Sequence, residues 1–503
     1  MSLAWILFIA YMLATAWLSW MGHRRTRGFA SFALGSGHMK PWVVGITLAA
    51  STASAATFII NPGFVYVDGL SAWMHMVPAM FCGFMLMICL LSFRFRRIGQ
   101  ASGALTIPDW IGRRYGSPAY ALFFAVVNLL AFAFVVLLVG GISIVMQQLL
   151  GVSNTTALLI TLIFVTGYVF VGGTYAHVFT NLLQGSLMLL VAAIVIISGL
   201  PLLLGDWPGF VAAMQAQDPL LLAPVKTDGQ LFNDVFSIYC AGFLVGAAVV
   251  CQPHILTKAL YVENDRAVRD YLIVLAVALG LFFLLATVGF YARLAVPPEQ
   301  LVDAASGAFR QDLVMTMYLK NAFPDWMFTL ISVVLLAAAM STLDGLLVGL
   351  STITANDLLL NLARRFGRFE DESAQLAWAY RASHAVLVVI AVAAFFVLQN
   401  PPPLLGIFGQ VGVYGLVLGS VPPLLAGIWF SRVPLGLVWG ASLAAMGLHF
   451  SLYLWGSHWF PEATLTFANP GVTLGLSMLI VVGPAMGLFW WLNRQPAAEA
   501  VAC

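Results

Sequence analysis

Thirteen apolar stretches recur along this chain, each close to or above the roughly 20 residues that a helix needs to cross a lipid bilayer. They lie near 2–21, 41–67, 71–92, 119–150, 155–173, 177–204, 233–257, 271–295, 325–357, 379–399, 404–429, 433–455 and 470–492. Lipid offers a backbone amide no partner, so each stretch must satisfy its own hydrogen bonds, and a helix does so within one segment. The expected fold is an all-α polytopic membrane protein with 13 transmembrane helices. Hydrophobic residues make up 61% of 503 and charged residues only 8%, too few to coat a water-soluble surface of this size. The net charge of +2 gives no reason to expect a nucleic-acid partner.

Basic residues are retained on the cytoplasmic side during insertion. With the N-terminus outside, only Lys226, Arg293, Arg310 and Lys320 fall in outer loops, and the other 18 of 22 Lys and Arg fall in inner ones. One span more or fewer would scramble that segregation, so an external N-terminus and an internal C-terminus are expected together. The first stretch lacks a basic leader and its positive cluster follows the apolar run, so it reads as a retained helix and not as a signal peptide. Cys82, Cys89, Cys240 and Cys251 fall within spans without metal or redox spacing, which reads as apolar packing. The outer loops 205–232 and 296–324 read as solvated, the second with a short external helix, and no loop is long enough for a separate globular domain.

Two spans depart from lipid-grade composition. In the second, Ala50 to Ala56 carry no bulky side chain and Pro62-Gly63 follows, so the helix is poorly supported and can open. Opened backbone within a membrane is tolerated where it lines a cavity or binds something; close helix packing through small residues is the alternative. In the ninth, Leu336–Asp357, Ser341 and Thr342 follow Ala338 by three and four positions, so two hydroxyls and a carbonyl can converge on one helix face. Hard oxygens suit sodium; hydroxyls bonded to their own i−4 carbonyls are the alternative. Asp344 reads as the acidic residue well inside a span, where an unpaired carboxylate is costly unless protonated or partnered.

Four segments in order carry a resemblance: Thr106-Ile-Pro-Asp-Trp-Ile-Gly-Arg-Arg-Tyr-Gly116, Gly172-Gly173-Thr174 through Asn181-Leu-Leu-Gln184, Gln252-Pro253-His254, and Ala338 with Ser341-Thr342. Together they resemble the sodium:solute symporter family, nearest its pantothenate and monocarboxylate branch and related to its proline and sialic-acid symporters. The resemblance implies a 5+5 inverted-repeat core in spans two to eleven. The domains would then be 1–40, the extra first helix and inner loop; 41–232, the first repeat and outer loop; 233–432, the second repeat; and 433–503, two added helices and a short tail. It also implies a multi-pass protein of the cell membrane that couples sodium entry to solute entry by alternating access.

Carried over residue by residue, the family's sodium site falls on the carbonyls of Ala50, Ala53 and Ala338 and the hydroxyls of Ser341 and Thr342. Some members hold a second sodium near the positions of Ser341 and Asp344 with an Asp of the sixth span, which here is Asn181. Asp344 and Asn181 are therefore expected to face one another across a second cation or proton site, the alternative being a protonated Asp344 bonded to a backbone carbonyl. By the same correspondence the substrate pocket is lined by Thr52, Ser54, Thr57, Trp73 or His75, Phe243 as a gate, and Gln410; interfacial anchoring is the alternative for Trp73 and His75.

The proline branch carries an Asp where this chain has Thr52, so a buried ammonium would lack its countercharge. A small organic acid is the expected solute, met by sodium, hydroxyls and the N–H groups of a half-helix; an amino acid or sugar is the alternative. No obligate protein partner is evident. An enzyme is not expected, because the eight histidines form no HExxH or paired catalytic spacing. A transporter-like sensor would need a longer tail than the one after Trp491, and an uncoupled facilitator would take up solute without sodium.

Overall fold

The computed structural model describes residues 2–26, 29–34, 38–54, 56–302, 307, 309–364, 371–402 and 404–494. Arg27, Arg365, Arg368 and the tail from 495, which entered the charge and tail arguments, lie outside them. Among the described residues ten helices are long and apolar enough to cross a membrane, or eleven with the pair Phe236–Val249 and Pro253–Tyr261, which is bent by 64°. Among the described residues the only extended pairing is an isolated bridge between Val302 and Phe309.

Two pairs of apolar stretches that the sequence separates are joined end to end. The helix Asn61–Met74 breaks at Gly69 (φ 58, ψ −133), and the helix Asn154–Leu204 breaks at Gly173 (φ 53, ψ −141). Both conformations lie in the region that glycine alone enters without strain. Space imposes the same choice, since a Cβ on Gly69 would stand 1.9 Å from the carbonyl oxygen of Leu221. Asp68, beside that break, is buried and accepts from the amide of Gln230 at 3.2 Å.

The helix Asp325–Ile353 is the axis of the molecule. Its apolar window is wholly buried, and it packs against Asn154–Leu204, Phe132–Leu150, Pro41–Thr52, Leu3–His23 and Glu372–Gln399. Lipid-facing helices instead expose large apolar side chains such as Ile163, Val277 and Phe396, the surface expected where lipid replaces water as solvent. Cys82, Cys89 and Cys240 belong to that exposed set and only Cys251 is buried; all four are free thiols, so three of the expected packing cysteines face outward. In the loop 296–324 a helix forms over Val314–Ala322.

The segment Ile107–Tyr115 is a brace between helix ends. Thr106 caps it by accepting from the Asp109 amide, and the same hydroxyl donates to the buried Asp357 carboxylate at 2.6 Å. Arg114 donates to the carbonyls of Gly427 and Phe430 at 2.8 and 2.6 Å, satisfying the end of the helix Leu405–Trp429. Thr106→Val removes the cap and takes one of two side-chain donors, the other being Asn356, from a buried carboxylate. We expect it to destabilise the fold by about 2–4 kcal/mol, measured as a lower unfolding temperature in detergent, while Thr106→Ser stays near the parent; equal melting of all three would show the brace to be idle.

Candidate cation and solute site

The helix Pro41–Thr52 ends inside the membrane. Ala53 leaves it at φ −80, ψ 84, a π-helical turn follows over Ala56–Ile60, and Pro62, which has no amide hydrogen, removes a bond that would tighten that turn. In a continuous helix the Ala50 carbonyl would accept from the Ser54 amide. That amide instead bonds the Thr52 carbonyl at 3.1 Å, and Ser341 Oγ takes the freed Ala50 oxygen at 2.8 Å.

The same Ser341 hydroxyl lies 2.7 Å from the Ala338 carbonyl oxygen. It has one proton to give, so it cannot donate fully to both carbonyls, and the Ala50 oxygen, which has lost its helical donor, keeps a lone pair open to a cation. Thr342 Oγ1 reaches across the break to the Ser51 carbonyl at 2.9 Å. Ala53 is the hinge itself, its amide still bonded to the Ala49 carbonyl at 2.8 Å. All five residues expected at the sodium site are completely buried. The structure brings Ala50, Ala338 and Ser341 into direct contact and places Thr342 and Ala53 beside them on the same two elements.

Asp344 and Asn181 take separate partners. Asp344 accepts from Tyr168 OH and Thr180 Oγ1, both at 3.1 Å, and pairs with His177 Nδ1 at 2.7 Å. Neither a backbone carbonyl nor Asn181 is its partner. Asn181 Nδ2 donates to Ser51 Oγ at 2.8 Å and to the Ser341 carbonyl at 2.9 Å, which ties the sixth-span segment to both sides of the break. Its Oδ1 is buried without a partner, a state rare enough in folded proteins to ask for a ligand.

Three cavities lie in series. The central one is lined by Thr52, Ser54, Thr57, His75 and Gln410, as expected, and also by Asn61, Gln252, His254, Tyr414 and Asn469. Phe64 and Ile407 are shared with a vestibule that holds Arg310 and Asp312, the end that the count of basic residues makes the outer one. His254 is shared with a cavity at the opposite end, inner by the same count, that holds His177, Thr257 and Thr106. No Asp, Glu, Lys or Arg among the described residues lines the central cavity, while Gln252 Oε1 and His254 Nδ1 are buried there without partners.

Trp73 and Phe243 are not part of this lining. The Trp73 indole donates to Thr287 Oγ1 at 3.0 Å, which turns it away from the cavity. Phe243 packs its backbone against Gly83, where a Cβ would meet the Phe243 oxygen at 1.9 Å, so its place is fixed by helix contact. Among the aromatic side chains that do border the cavity, Phe64 and Phe232 meet edge to face at 5.9 Å, with His75 4.7 Å from Phe232.

Sequence reasoning overlooked Lys258 and His177. Lys258 was counted with the inner loops, yet it is fully buried and donates to the Thr47 carbonyl and to Ser51 Oγ, both at 2.7 Å. The apolar run ends at Leu256, and nothing in composition says that the chain bends back into the protein after Pro253. His177 was legible: with Thr180, Asn181 and Gln184 it makes a polar stripe at positions i, i+3, i+4 and i+7, the face of a helix turned toward partners.

Residues 32–441 match the sodium:solute symporter family. The chain belongs to that family. Two relatives among its members are 25% and 26% identical, each aligned over about 85% of both chains: the sodium/pantothenate symporters of Haemophilus influenzae and of Escherichia coli K12. A solved structure, the substrate-bound outward-open state of a Na+-coupled sialic acid symporter, superposes with a TM-score of 0.74 over 97% of this chain and 98% of its own at 16% identity, which establishes a shared transporter fold. The protein is a membrane transporter of the sodium-coupled symporter class, not an enzyme.

Ser341→Ala deletes the hydroxyl shared by Ala50 and Ala338. The expected result is a sodium affinity lower by roughly tenfold or more, about the worth of one hydrogen bond or ligand to a charged group. It is read from the sodium dependence of uptake, whereas Trp73→Phe leaves both sodium and solute dependence unchanged. Unaltered sodium dependence in Ser341→Ala would remove this serine from the site.

Proposed function

We propose that this protein imports a small organic acid with sodium across the cell membrane by alternating access. The observation that carries the reading is the Ala50 carbonyl, freed where a membrane helix opens and met by a Ser341 hydroxyl that also lies against the Ala338 oxygen. Unwound carbonyls at mid-membrane are where secondary transporters hold coupling ions. Ala53 and Thr342 complete the proposed shell. Neutral oxygens alone give modest affinity, which suits an ion that must be released again on the other side.

The solute site is the central cavity, with Thr52, Ser54, Thr57, His75 and Gln410 as contacts and Phe64 with Phe232 as the outer aromatic gate in place of Phe243. A cavity without a carboxylate favours an organic acid over an amine, since a buried ammonium would find no countercharge. The names of the two sodium/pantothenate symporters support the same class. Asp344, held by His177, and Asn181, with its unpartnered oxygen, are proposed to serve a second cation or proton.

Thirteen spans follow when Gly69 and Gly173 are taken as turns between spans and the bent pair as one span. The first helices of the two halves are both interrupted, between Thr52 and Ala56 and between Val249 and Pro253, as a 5+5 inverted repeat would have them. Arg96 and Arg97 pair with Asp265, and Arg114 holds the Phe430 carbonyl, so three of the basic loops gather in two clasps, as expected of an inner face. An external N-terminus and internal C-terminus complete that topology.

Purified protein screened by thermal shift against organic acids, sugars and amino acids, with sodium or choline, tests the proposal, because a ligand that binds only the folded state raises its stability by mass action. A carboxylate that stabilises in sodium and not in choline is the expected result; stabilisation by an amine or sugar, or uptake unaffected by choline, contradicts it. For the second site, Asp344→Asn vesicles should show a lower sodium-to-solute ratio or a lost pH dependence of uptake, and an unchanged ratio with unchanged pH dependence would eliminate it.

A further inference from the structure

The inner end of the cation site is closed by a charge that the proposed transport cycle leaves unused. Lys258 sits on the limb Pro253–Tyr261, which is bent 64° from Phe236–Val249. Its ammonium is completely buried and reaches the last turns of Pro41–Thr52, donating to Thr47 O and Ser51 Oγ at 2.7 Å each. Ser51 follows Ala50, whose carbonyl meets Ser341, and Ser51 also accepts from Asn181 and, through its own carbonyl, from Thr342.

A helix C-terminus is the negative pole of its macrodipole. Lysine and a sodium ion held by Ala50 would therefore draw on the same pole, one residue apart along the chain. Lys258 forms no ion pair with a carboxylate among the described residues; Asp344 acts on it only through space, and the neighbouring His177 and His254 offer no negative charge. Two cations so placed in a medium of low dielectric repel strongly. The limb that carries Lys258 is also a wall of both the central and the inner cavity, through His254 and through Thr257.

We propose that Lys258 is a tethered cation that competes with sodium for the end of Pro41–Thr52, so that its charge lowers sodium affinity to a level from which the ion can leave again. This inference rests on the sodium reading given above, and its test separates the two.

Sodium chloride titrations against choline chloride at constant ionic strength, followed by thermal stability of the purified full-length protein, compare the parent with Lys258→Met, Lys258→Gln and Lys258→Arg. The neutral variants are expected to bind sodium roughly tenfold tighter than the parent, with Lys258→Arg near or below it; Lys258→Gln, which keeps a hydrogen-bonding end, covers a failure of Lys258→Met to fold. Neutral variants that bind sodium as the parent does, or more weakly, overturn the proposal. A parent that does not respond to sodium overturns the sodium reading itself.

Discussion

A backbone carbonyl stranded in lipid has no water to turn to, and the architecture of this transporter is organised around relieving that condition at one place. Where Pro41–Thr52 stops short of the far side, the Ala50 oxygen loses its helical partner, and the Ala50 and Ser51 oxygens are each met by a hydroxyl of the buried helix Asp325–Ile353. Leaving either unmet would cost several kcal/mol. The break is held by Ser341 and Thr342 standing opposite it. Sodium is proposed as a further partner for the Ala50 oxygen, whose only hydroxyl donor is shared with Ala338.

From that junction a polar seam runs through an otherwise apolar interior. Asn181 ties Ser51 to the Ser341 carbonyl; one turn away, Asp344 gathers His177, Thr180 and Tyr168; Gln184 continues the stripe to Tyr11 of the first helix at 2.7 Å. Buried networks of this kind are costly when half satisfied and rigid when complete. Of the atoms left over, those on Asn181, Gln252 and His254 lie at the ion junction and in the cavities, where a ligand could reach them, while Gln184 Oε1 lies further along the stripe. The rest of the molecule holds this seam in place: glycine turns at Gly69 and Gly173 fold helix onto helix, and the Thr106 brace fixes the end that carries Asp357.

Much of this was written plainly in the chain. The long apolar runs dictate a helical membrane protein, and the Ala50–Ala56 run with Ser341-Thr342 marks the junction because few sequences place so many small and hydroxylated residues in lipid. Thr52, Ser54, Thr57, His75 and Gln410 were legible as polar positions in apolar spans. Trp73 and Phe243 were misplaced because their direction depends on neighbours, Thr287 and Gly83, that no local pattern reveals. Lys258 was misread because a lysine after an apolar run normally marks a loop, and only the bend at Pro253 returns it to the interior. Asp344 was rightly said to need a partner, yet His177 lies far from it in sequence and only the packing of two helices joins them.

The central claim is that the opened second span and the serine–threonine pair of the ninth jointly hold one sodium ion. Structures determined at high resolution in sodium and in choline test it most directly. The account predicts a density peak in sodium alone, bounded by the oxygens of Ala50, Ala53, Ala338, Ser341 and Thr342, with the Ser341 hydroxyl turned from donor to ligand. A continuous helix through Ala53 in both salts, or a sodium peak elsewhere with this junction unchanged, would contradict it.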